Sequence, residues 1–231
     1  MNRMLPYITG ILLFLGSILP CSAQEGRIKG IRFGYDLTRP ALKYFEPERK
    51  GFEVSVDYEV KQNYYLTLEY GQQEVNLSKP GFSYSSDGNY GRMGLDYNFS
   101  KKKKEVDHYE MVFGGLRYGF ATYSHLAEDI IMTENYWGVQ TIDELQGNDI
   151  SAHWFEVVAG IRGELFKNFF MGWSFHGKVM IWQKQGSTLY AYKIPGFGAG
   201  NKKAQLGFNY SIYYRIPLFK TKNKPAADAA E

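Results

Sequence analysis

Residues 52–60 read Phe-Glu-Val-Ser-Val-Asp-Tyr-Glu-Val, with an apolar or aromatic residue at every second position. Successive side chains of a β-strand point to opposite faces of the sheet, so this period of two predicts a strand with one apolar and one charged face. The same alternation recurs along the chain. It predicts eight strands, at residues 31–38, 52–60, 64–71, 92–99, 116–121, 154–165, 169–181 and 206–216.

The connections between these strands are alternately short and long. The short ones lie at 61–63, 101–107 and 167–168, and the long ones at 40–50, 72–88, 124–151 and 185–204. Bacterial outer-membrane barrels have short periplasmic turns, long external loops and an even number of strands. The pattern therefore predicts an all-β fold: an eight-stranded antiparallel up-and-down transmembrane β-barrel with both termini in the periplasm.

Composition agrees with an all-β protein and argues against two other classes. The 231 residues include 19 Tyr, 16 Phe and 25 Gly, which are residue types that suit strands, bulges and tight bends. A hydrophobic content of 44% argues against a disordered chain. A formal net charge of only +3 gives no reason to expect a nucleic-acid partner.

Residues 1–23 have the three parts of a secretory signal. Arg3 supplies the positive charge, residues 8–19 form an apolar stretch, and the small residues Cys21 and Ala23 precede a cleavage site. The apolar stretch is shorter than the ~20 residues that a spanning helix needs, which argues against a retained membrane anchor. The sequence predicts a signal peptide at 1–23 and export through the general secretion pathway.

Cys21, the only cysteine, leaves an alternative open, namely a lipoprotein signal in which this residue is lipidated. The preceding Leu19 and Pro20 match such a signal poorly. Cleavage after Ala23 leaves a mature chain without cysteine, so disulfides and thiolate metal sites are not expected. The remaining predicted segments are the barrel at 24–219 and a disordered C-terminal tail at 220–231.

The two faces of the predicted strands favour lipid over water outside the barrel. One face is broadly apolar, and the other has many Arg, Asp, Glu and Gly but few Lys. In a membrane barrel the apolar face contacts lipid and the polar face fills the lumen, where Arg and carboxylates can pair. A soluble periplasmic β-barrel, with its apolar face inside, is the alternative. The predicted lumen charge network consists of Arg32, Asp36, Glu53, Asp57, Glu69, Arg92, Asp96, Arg117, Glu156, Arg162, Glu164 and Arg215.

An eight-stranded barrel encloses a lumen just wide enough for side chains to fill it. The charged side chains are therefore predicted to plug the barrel, with forked pairs joining arginines such as Arg92 and Arg162 to glutamates such as Glu53 and Glu164. His176 is predicted to point into the same lumen. A small polar pore is the alternative.

Several stretches resemble an uncharacterised family of small outer-membrane β-barrel proteins of Bacteroidota-type bacteria. They lie at 30–37, 39–40, 46–53, 114–120, 152–156, 194–197 and 207–210, and their order and spacing fit over nearly the whole mature chain. The resemblance implies an outer-membrane location and a precursor cleaved by signal peptidase. It implies no known activity, so it identifies no catalytic residues.

No catalytic or metal-binding motif stands out in the sequence. The histidines at 108, 125, 153 and 176 lie in separate segments without H-x-x-H spacing, and there is no G-x-S-x-G. Ser124 and His125 are adjacent, so on a strand their side chains would point to opposite faces. The sequence predicts no enzyme activity, no metal and no cofactor, with a lipid-modifying barrel enzyme as the alternative.

Two of the predicted external loops carry aromatic residues suited to recognition. These residues are Tyr136, Trp137, Tyr190, Tyr192 and Phe197. Loops on a rigid scaffold commonly bind partners, although these could equally cap the barrel. The predicted function is a structural or loop-mediated binding role in the cell outer membrane. The predicted partners are outer-membrane lipid and, during insertion, the barrel-assembly machinery; no external ligand is identified.

Overall fold

The computed structural model describes residues 28–100, 110–134, 138–184 and 191–220, with the side chains of 28–29, 129–134, 138–144 and 219–220 left out. The elements in chain order are β1 (Ile28–Asp36), α1 (Thr38–Phe45), β2 (Arg49–Lys61), β3 (Tyr64–Lys79), β4 (Phe82–Asn98), β5 (Met111–Glu134), β6 (Gly138–Phe166), β7 (Phe169–Gln183), β8 (Lys193–Ile194), β9 (Gly198–Ala199) and β10 (Ala204–Lys220).

The eight long strands form a closed antiparallel barrel in the order β1-β10-β7-β6-β5-β4-β3-β2. Closure comes from the first and last strands, which pair from Ile28 opposite Lys220 to Asp36 opposite Ser211. Each of the eight predicted strands corresponds to one strand of the barrel, although the predicted 31–38 and 92–99 end two residues and one residue later than β1 and β4. The predicted eight-stranded antiparallel fold is confirmed. Within the described residues, no helix is long and apolar enough to cross a bilayer.

Two of the short connections are tight turns at the same end of the barrel as Ile28 and Lys220, the first and last described residues. Asn63, between β2 and β3, has a φ of 66°, and Asn168, between β6 and β7, has a φ of 64°. Asparagine tolerates this left-handed conformation better than most residues, which explains its place at both turns. This end is called the turn end below, and the opposite end is called the mouth. The predicted turn at 101–107 lies outside the described residues.

The long connections differ from the prediction at 72–88 and 124–151, because much of this sequence is strand. β3 continues to Lys79 and β4 starts at Phe82, so a turn at Pro80 and Gly81 replaces the predicted loop. β5 and β6 likewise pair as far as Glu134 opposite Gly138. Outward residues become polar in this region, which removes the apolar alternation while backbone pairing continues. The paired parts at 72–79, 82–89, 122–134 and 138–151 are called the extension.

The connection at 40–50 also contains an element that the period of two could not show. Helix α1 begins where the Asp36 side chain accepts a hydrogen bond from the Thr38 backbone N–H at 2.9 Å. Pro40 lies in the first helical turn, where a backbone N–H is not needed. The backbone N–H of Tyr210 on β10 donates to the Thr38 hydroxyl at 2.7 Å. These contacts hold α1 against the mouth of the barrel.

The outer and inner faces of the barrel have opposite polarity. Around the turn-end half, the outward side chains form an apolar band; Leu116 is 67% exposed and Phe175 is 63% exposed. Inward charged residues are buried, with Arg92 and Asp57 each 1% exposed. This is the reverse of a water-soluble barrel, in which apolar side chains lie inside.

Candidate functional site: the lumen of the barrel

Most of the predicted lumen charges lie inside the barrel. The buried ones are Arg32, Asp36, Glu53, Asp57, Arg92, Asp96, Arg117, Glu156, Arg162 and Arg215. The side chain of Glu69 is also nearly buried, at 8% exposure. Glu164 is instead half-buried at the β6–β7 turn, where it accepts a hydrogen bond from the Asn168 backbone N–H at 2.8 Å. Because Glu164 lies at the end of β6, its carboxylate contacts the turn that follows.

Arg92 lies at the centre of the lumen and joins carboxylates from three other strands. Its guanidinium pairs with Glu53 on β2, with Glu69 on β3 at 2.6 Å from Nε, and with Glu156 on β6 at 3.5 Å from Nη1. These four residues are called the central layer. Because β4 and β6 are not neighbours, the pair between Arg92 and Glu156 bridges the lumen.

Glu53 has partners beyond Arg92. Its carboxylate accepts hydrogen bonds from Tyr90 Oη at 2.5 Å and from Asn209 Nδ2 at 2.7 Å. Arg39, from helix α1, donates to the same carboxylate from Nη2 at 2.9 Å. A buried carboxylate requires such charge-assisted bonds, because the loss of hydration is otherwise uncompensated.

Sequence reasoning missed the contribution of Arg39. The residue follows the first strand, so the alternation that assigned the other charges to the lumen did not extend to it. In the structure it also lies 3.4 Å from Asp36, three residues earlier. The sequence spacing of Asp36 and Arg39 was the available signal, since residues three apart are neighbours on a helical turn.

A second group of charges lies between the central layer and the turn end. Asp57 accepts hydrogen bonds from Arg32 Nε at 2.6 Å and from Arg162 Nη1 at 2.8 Å. The Arg162 guanidinium lies 3.9 Å from the centre of the Tyr213 ring, and that of Arg32 lies 4.6 Å from the Tyr65 ring. Aromatic faces thus cover the cations where carboxylates do not.

A further arginine extends the ion pairs of the central layer towards the turn end. Arg117 pairs with Glu69 of the central layer and with Asp96 at 2.9 Å. Asp96 also accepts a hydrogen bond from the Thr67 hydroxyl at 3.0 Å. The described part of the lumen is therefore crossed by connected ion pairs from the central layer towards the turn end.

Ser174, His176 and Glu156 have the spatial order of a nucleophile, a base and an acid. Ser174 Oγ lies 3.0 Å from His176 Nε2, and His176 Nδ1 lies 2.8 Å from Glu156 Oε2. Such an arrangement activates serine in hydrolases of several folds. The contact between Ser174 and His176 could have been predicted from the sequence, because residues 174 and 176 share one face of a strand.

The space beside Ser174 does not accommodate a substrate. The cavity that it lines, together with Glu53 and Arg117, has a volume of about 10 Å³. That volume holds about one water molecule. Glu156 is also committed to Arg92 and to the Trp154 indole N–H, which donates at 2.6 Å. The arrangement therefore acts as part of the lumen hydrogen-bond network.

The mouth of the barrel is closed by residues 191–200, called the plug, which include the short hairpin of β8 and β9. Ile194 is fully buried, and Phe197 packs on Trp154 with ring centres 5.7 Å apart. Lys178 Nζ donates to the Gly196 carbonyl at 2.5 Å. Gly196 has a φ of 73°, and a Cβ there would overlap the Tyr90 ring. A glycine is therefore required at this position.

Of the residues predicted to serve recognition, the structure describes Tyr192 and Phe197. Phe197 is 2% exposed, which corrects its predicted external role, because its ring has an apolar surface to pack on inside the mouth. Tyr192 is 46% exposed, and its backbone N–H donates to Tyr84 Oη at 3.1 Å. Tyr136, Trp137 and Tyr190 lie outside the described residues.

The histidines and acids in the described part of the chain form no cluster of three that could hold a metal ion. His125 stacks between Tyr84 and Tyr123, with ring centres 6.0 Å and 6.3 Å away. His153 lies on the outer face with Nδ1 2.7 Å from Tyr118 Oη. These contacts are aromatic packing and side-chain hydrogen bonds.

Together the fold and the lumen define a small β-barrel with an apolar outer band and a polar interior filled by its own side chains. The chain belongs to the family described as "Domain of unknown function (DUF6048)", whose sequence profile matches residues 19–221. Membership of a family without an assigned function agrees with the resemblance found in the sequence. No functionally curated protein matches the chain significantly.

Several solved structures are similar in architecture. The N-terminal β-barrel domain of Pseudomonas aeruginosa OprF has 13% identity, with 83% of this chain and 100% of that chain covered and a TM-score of 0.39. Ail, the attachment invasion locus protein of Yersinia pestis, has 12% identity, with 84% and 100% covered and a TM-score of 0.41. A major outer membrane protein from Thermus thermophilus has 14% identity, with 82% and 98% covered and a TM-score of 0.42. At these identities the similarity concerns the fold alone.

Proposed function

We propose that the protein is an outer-membrane β-barrel that neither conducts nor catalyses, and that its extension and external loops have a structural or binding role. The observation that carries this proposal is the reversed polarity of the barrel: an apolar band outside and paired charges inside. We also propose export through the general secretion pathway with removal of residues 1–23, and insertion by the barrel-assembly machinery. The Bacteroidota-type origin stays a prediction.

The apolar band supports a membrane location. Side chains such as Leu116, Val157 and Phe175 are each more than 60% exposed on the outer face. Exposed apolar surface costs about 25 cal/mol per Å² in water, and this band surrounds the barrel. Lipid removes that cost, and a closed barrel leaves no unpaired strand edge in the bilayer. A soluble periplasmic barrel, the alternative, would have its apolar side chains inside and would lack this band.

The lumen supports a barrel without a channel. The central layer joins β2, β3, β4 and β6, and the plug closes the mouth above it. A continuous water path would require the separation of buried ion pairs such as Arg92 with Glu53, which leaves each charge unpaired. The cavity of about 10 Å³ beside Ser174 supports the absence of hydrolysis, since a substrate does not fit there.

The extension supports a role outside the membrane. Its outward residues, for example Gln72 and Glu74 on β3, are exposed and polar. Its inner face packs Val75, Tyr84 and Ala127 against one another, which makes it a rigid structure beyond the apolar band. Rigid elements that raise loops above a membrane are suited to contact partners.

Single-channel recording on the purified protein in planar bilayers tests the closed lumen. We expect no steady openings for the wild type. Because Phe197 holds the plug against Trp154, Phe197→Ala tests whether the plug alone closes the barrel; we expect no openings there either, since the central layer remains. Large, steady openings in the wild type would establish a pore.

A pair of arginine substitutions tests the membrane location. Phe175→Arg places a charge in the apolar band and is expected to lower the unfolding free energy in lipid by roughly 2–4 kcal/mol. Gln72→Arg places the same charge on the extension, where we expect a change within about 0.5 kcal/mol. Equal effects of the two substitutions, measured by urea titration in vesicles, would argue for a soluble barrel.

A further inference from the structure

Helix α1 has an exposed face that is largely apolar. Residues one turn apart lie on the same side of a helix, so Pro40 and Ala41 share a side with Tyr44 and Phe45. All four are exposed; Tyr44 is 87% exposed and Phe45 is 82% exposed. None of the residues of α1 is buried. The helix and the strands on which it packs, β2 and β10, lie in continuously described parts of the chain.

The contacts that hold α1 to the barrel are mainly polar. Arg39 donates to the Glu53 carboxylate from Nη2 at 2.9 Å, and the Thr38 hydroxyl accepts a hydrogen bond from the Tyr210 backbone N–H at 2.7 Å. Leu42 is half-buried. A surface helix of a water-soluble protein normally packs its apolar side on the core and exposes its charged side. In α1 an arginine reaches inward while the aromatic rings are exposed, which is the same reversed polarity as that of the barrel wall.

The position of α1 makes its exposed face continuous with the apolar band. β1 ends at Asp36, and the backbone N–H of the next residue, Leu37, donates to the Tyr210 carbonyl on β10 at 2.8 Å. The helix therefore follows β1 on the side of β10 that faces β2. Between Tyr210 and the mouth, the outward residues of β10 are Phe208, which is 45% exposed, and Leu206, which is 91% exposed. Exposed apolar surface thus lies beside α1 on β10.

This position is also the mouth-side border of the apolar band. On β2, Phe52 is 37% exposed, and it lies opposite Gln72, an exposed polar residue at the start of the extension. Lys43 on α1 and Lys50 on β2 are exposed near the same border. Aromatic and lysine side chains suit the boundary between hydrocarbon and headgroups, because rings can lie in lipid while amino groups reach phosphates.

We propose that α1 is an interfacial helix whose exposed face inserts into the mouth-side leaflet of the membrane and contacts phospholipid between headgroups and acyl chains. The inference rests on the proposed membrane location, because α1 borders the apolar band. Amphipathic helices that lie in this plane bury their apolar side about 5–10 Å into the boundary region. Tyr44 and Phe45 supply the inserted rings, and Lys43 and Lys50 lie beside phosphates of the same lipids.

Spin labels on single cysteines measure whether this face contacts lipid. Cys21→Ser removes the only native cysteine, and Ala41→Cys then places a nitroxide on the exposed face without changing either aromatic ring. The full chain is refolded into vesicles of phosphatidylcholine and phosphatidylglycerol. Collisions of the label with oxygen, which concentrates in lipid, are compared with collisions with a water-soluble nickel complex. We expect oxygen collisions to predominate for the Ala41 label, at a depth of about 5–10 Å.

Lys43→Cys is the matched control within the helix. Lys43 is also exposed, but it lies about 160° from Ala41 around the helix, so its label should favour the nickel complex. Should the Ala41 label favour nickel equally, the face is in water and the proposal is overturned. Shielding of the Ala41 label from both reagents would also overturn it, because a second copy or another protein then covers the face. If the Ala41 variant does not refold, Tyr44→Cys gives the same measurement on the same face.

Two further labels separate this inference from the proposed membrane location. Phe175→Cys reports on the apolar band, and Gln72→Cys reports on the extension. We expect the Phe175 label to be deepest in lipid, the Ala41 label to be shallower, and the Gln72 label to be in water. If the Phe175 label favours nickel as strongly as the Gln72 label does, the membrane location itself fails. If the Phe175 label is in lipid but the Ala41 label is in water, only the proposal for α1 fails.

Discussion

The lumen is closed at two levels, and the two closures depend on different interactions. In the central layer, four charged side chains from four strands meet around Arg92. At the mouth, the plug packs apolar side chains on Tyr90 and Trp154. Trp154 connects the two levels, because its indole N–H donates to Glu156 at 2.6 Å.

The two levels differ in how much stability is lost when one side chain is removed. In the central layer, the removal of one residue leaves buried charges without compensation, so the loss is large. In the plug, the removal of an apolar group loses burial in proportion to its size, and the segment can partly close the gap. A substitution in the central layer is therefore expected to lower the unfolding free energy more than a substitution in the plug.

The largest effect is expected from Arg92→Met. The substitution keeps much of the apolar stem but leaves Glu53, Glu69 and Glu156 without their common partner. We expect a loss of about 3–5 kcal/mol in unfolding free energy, the range found when a buried pair is broken. Urea unfolding in lipid vesicles measures it. Adding Glu156→Gln to Arg92→Met should recover part of the loss, and an additive further loss would contradict the charged-layer explanation.

Phe197→Ala is expected to have the next largest effect. It removes a buried ring from the plug. We expect a loss of about 3 kcal/mol in unfolding free energy, the lower end of the range for truncating a buried phenylalanine. The plug should also become sensitive to protease, as mapped by mass spectrometry of the fragments. Phe197→Leu, which retains apolar bulk, should lose less than half as much. Equal losses for the two variants would argue against packing as the cause.

Gly196→Ala tests the backbone of the plug. The φ of 73° and the overlap with the Tyr90 ring both oppose a side chain, so we expect a loss of about 1–3 kcal/mol. Gly177→Ala is a suitable control, because its Cβ has room and its φ is not positive. The melting temperature in detergent distinguishes them, and a neutral Gly196 variant would contradict the assigned backbone strain.

The smallest effect is expected from the ion pair of Lys193 with Glu46, which ties the plug to the segment after α1. Burial opposes ionisation of Glu46, but the hydrogen bond from Lys193 and the charges of Lys193 and Arg49 outweigh it, so the pKa of Glu46 is below its usual value of 4.5. A lowered folded-state pKa means that the stabilisation is present above the unfolded-state pKa and is lost as pH falls through the folded-state pKa.

Hydrogen exchange of the plug measures this pH dependence. Exchange at residues 191–200 should increase in the wild type as the pH falls below the ordinary Glu46 pKa of 4.5. The increase should correspond to at most about 1 kcal/mol, since the pair is partly exposed. Glu46→Gln should exchange faster at neutral pH and show a weaker increase in acid. The same acid response in both proteins would assign it to other groups.

Much of the barrel could be predicted from the sequence, because a period of two is a local property. Alternation in stretches such as 52–60 assigns each side chain to one of two faces, and closure of eight strands then places one face inside. That is why residues as distant in sequence as Arg32 and Glu156 were both predicted to face the lumen. The alternation failed in the extension, where outward residues are polar although the strands still pair.

The partners inside the lumen were decided only by the tertiary structure. Which arginine faces which carboxylate depends on the stagger of the strands around the closed barrel, a non-local property to which the alternation is insensitive. Thus Arg162 pairs with Asp57 on the far side of the lumen, while Glu164 serves a turn. Arg39 and Phe197 lie outside the long strands. Only the packing of α1 and the plug into the mouth shows that Arg39 reaches Glu53 and that Phe197 is buried.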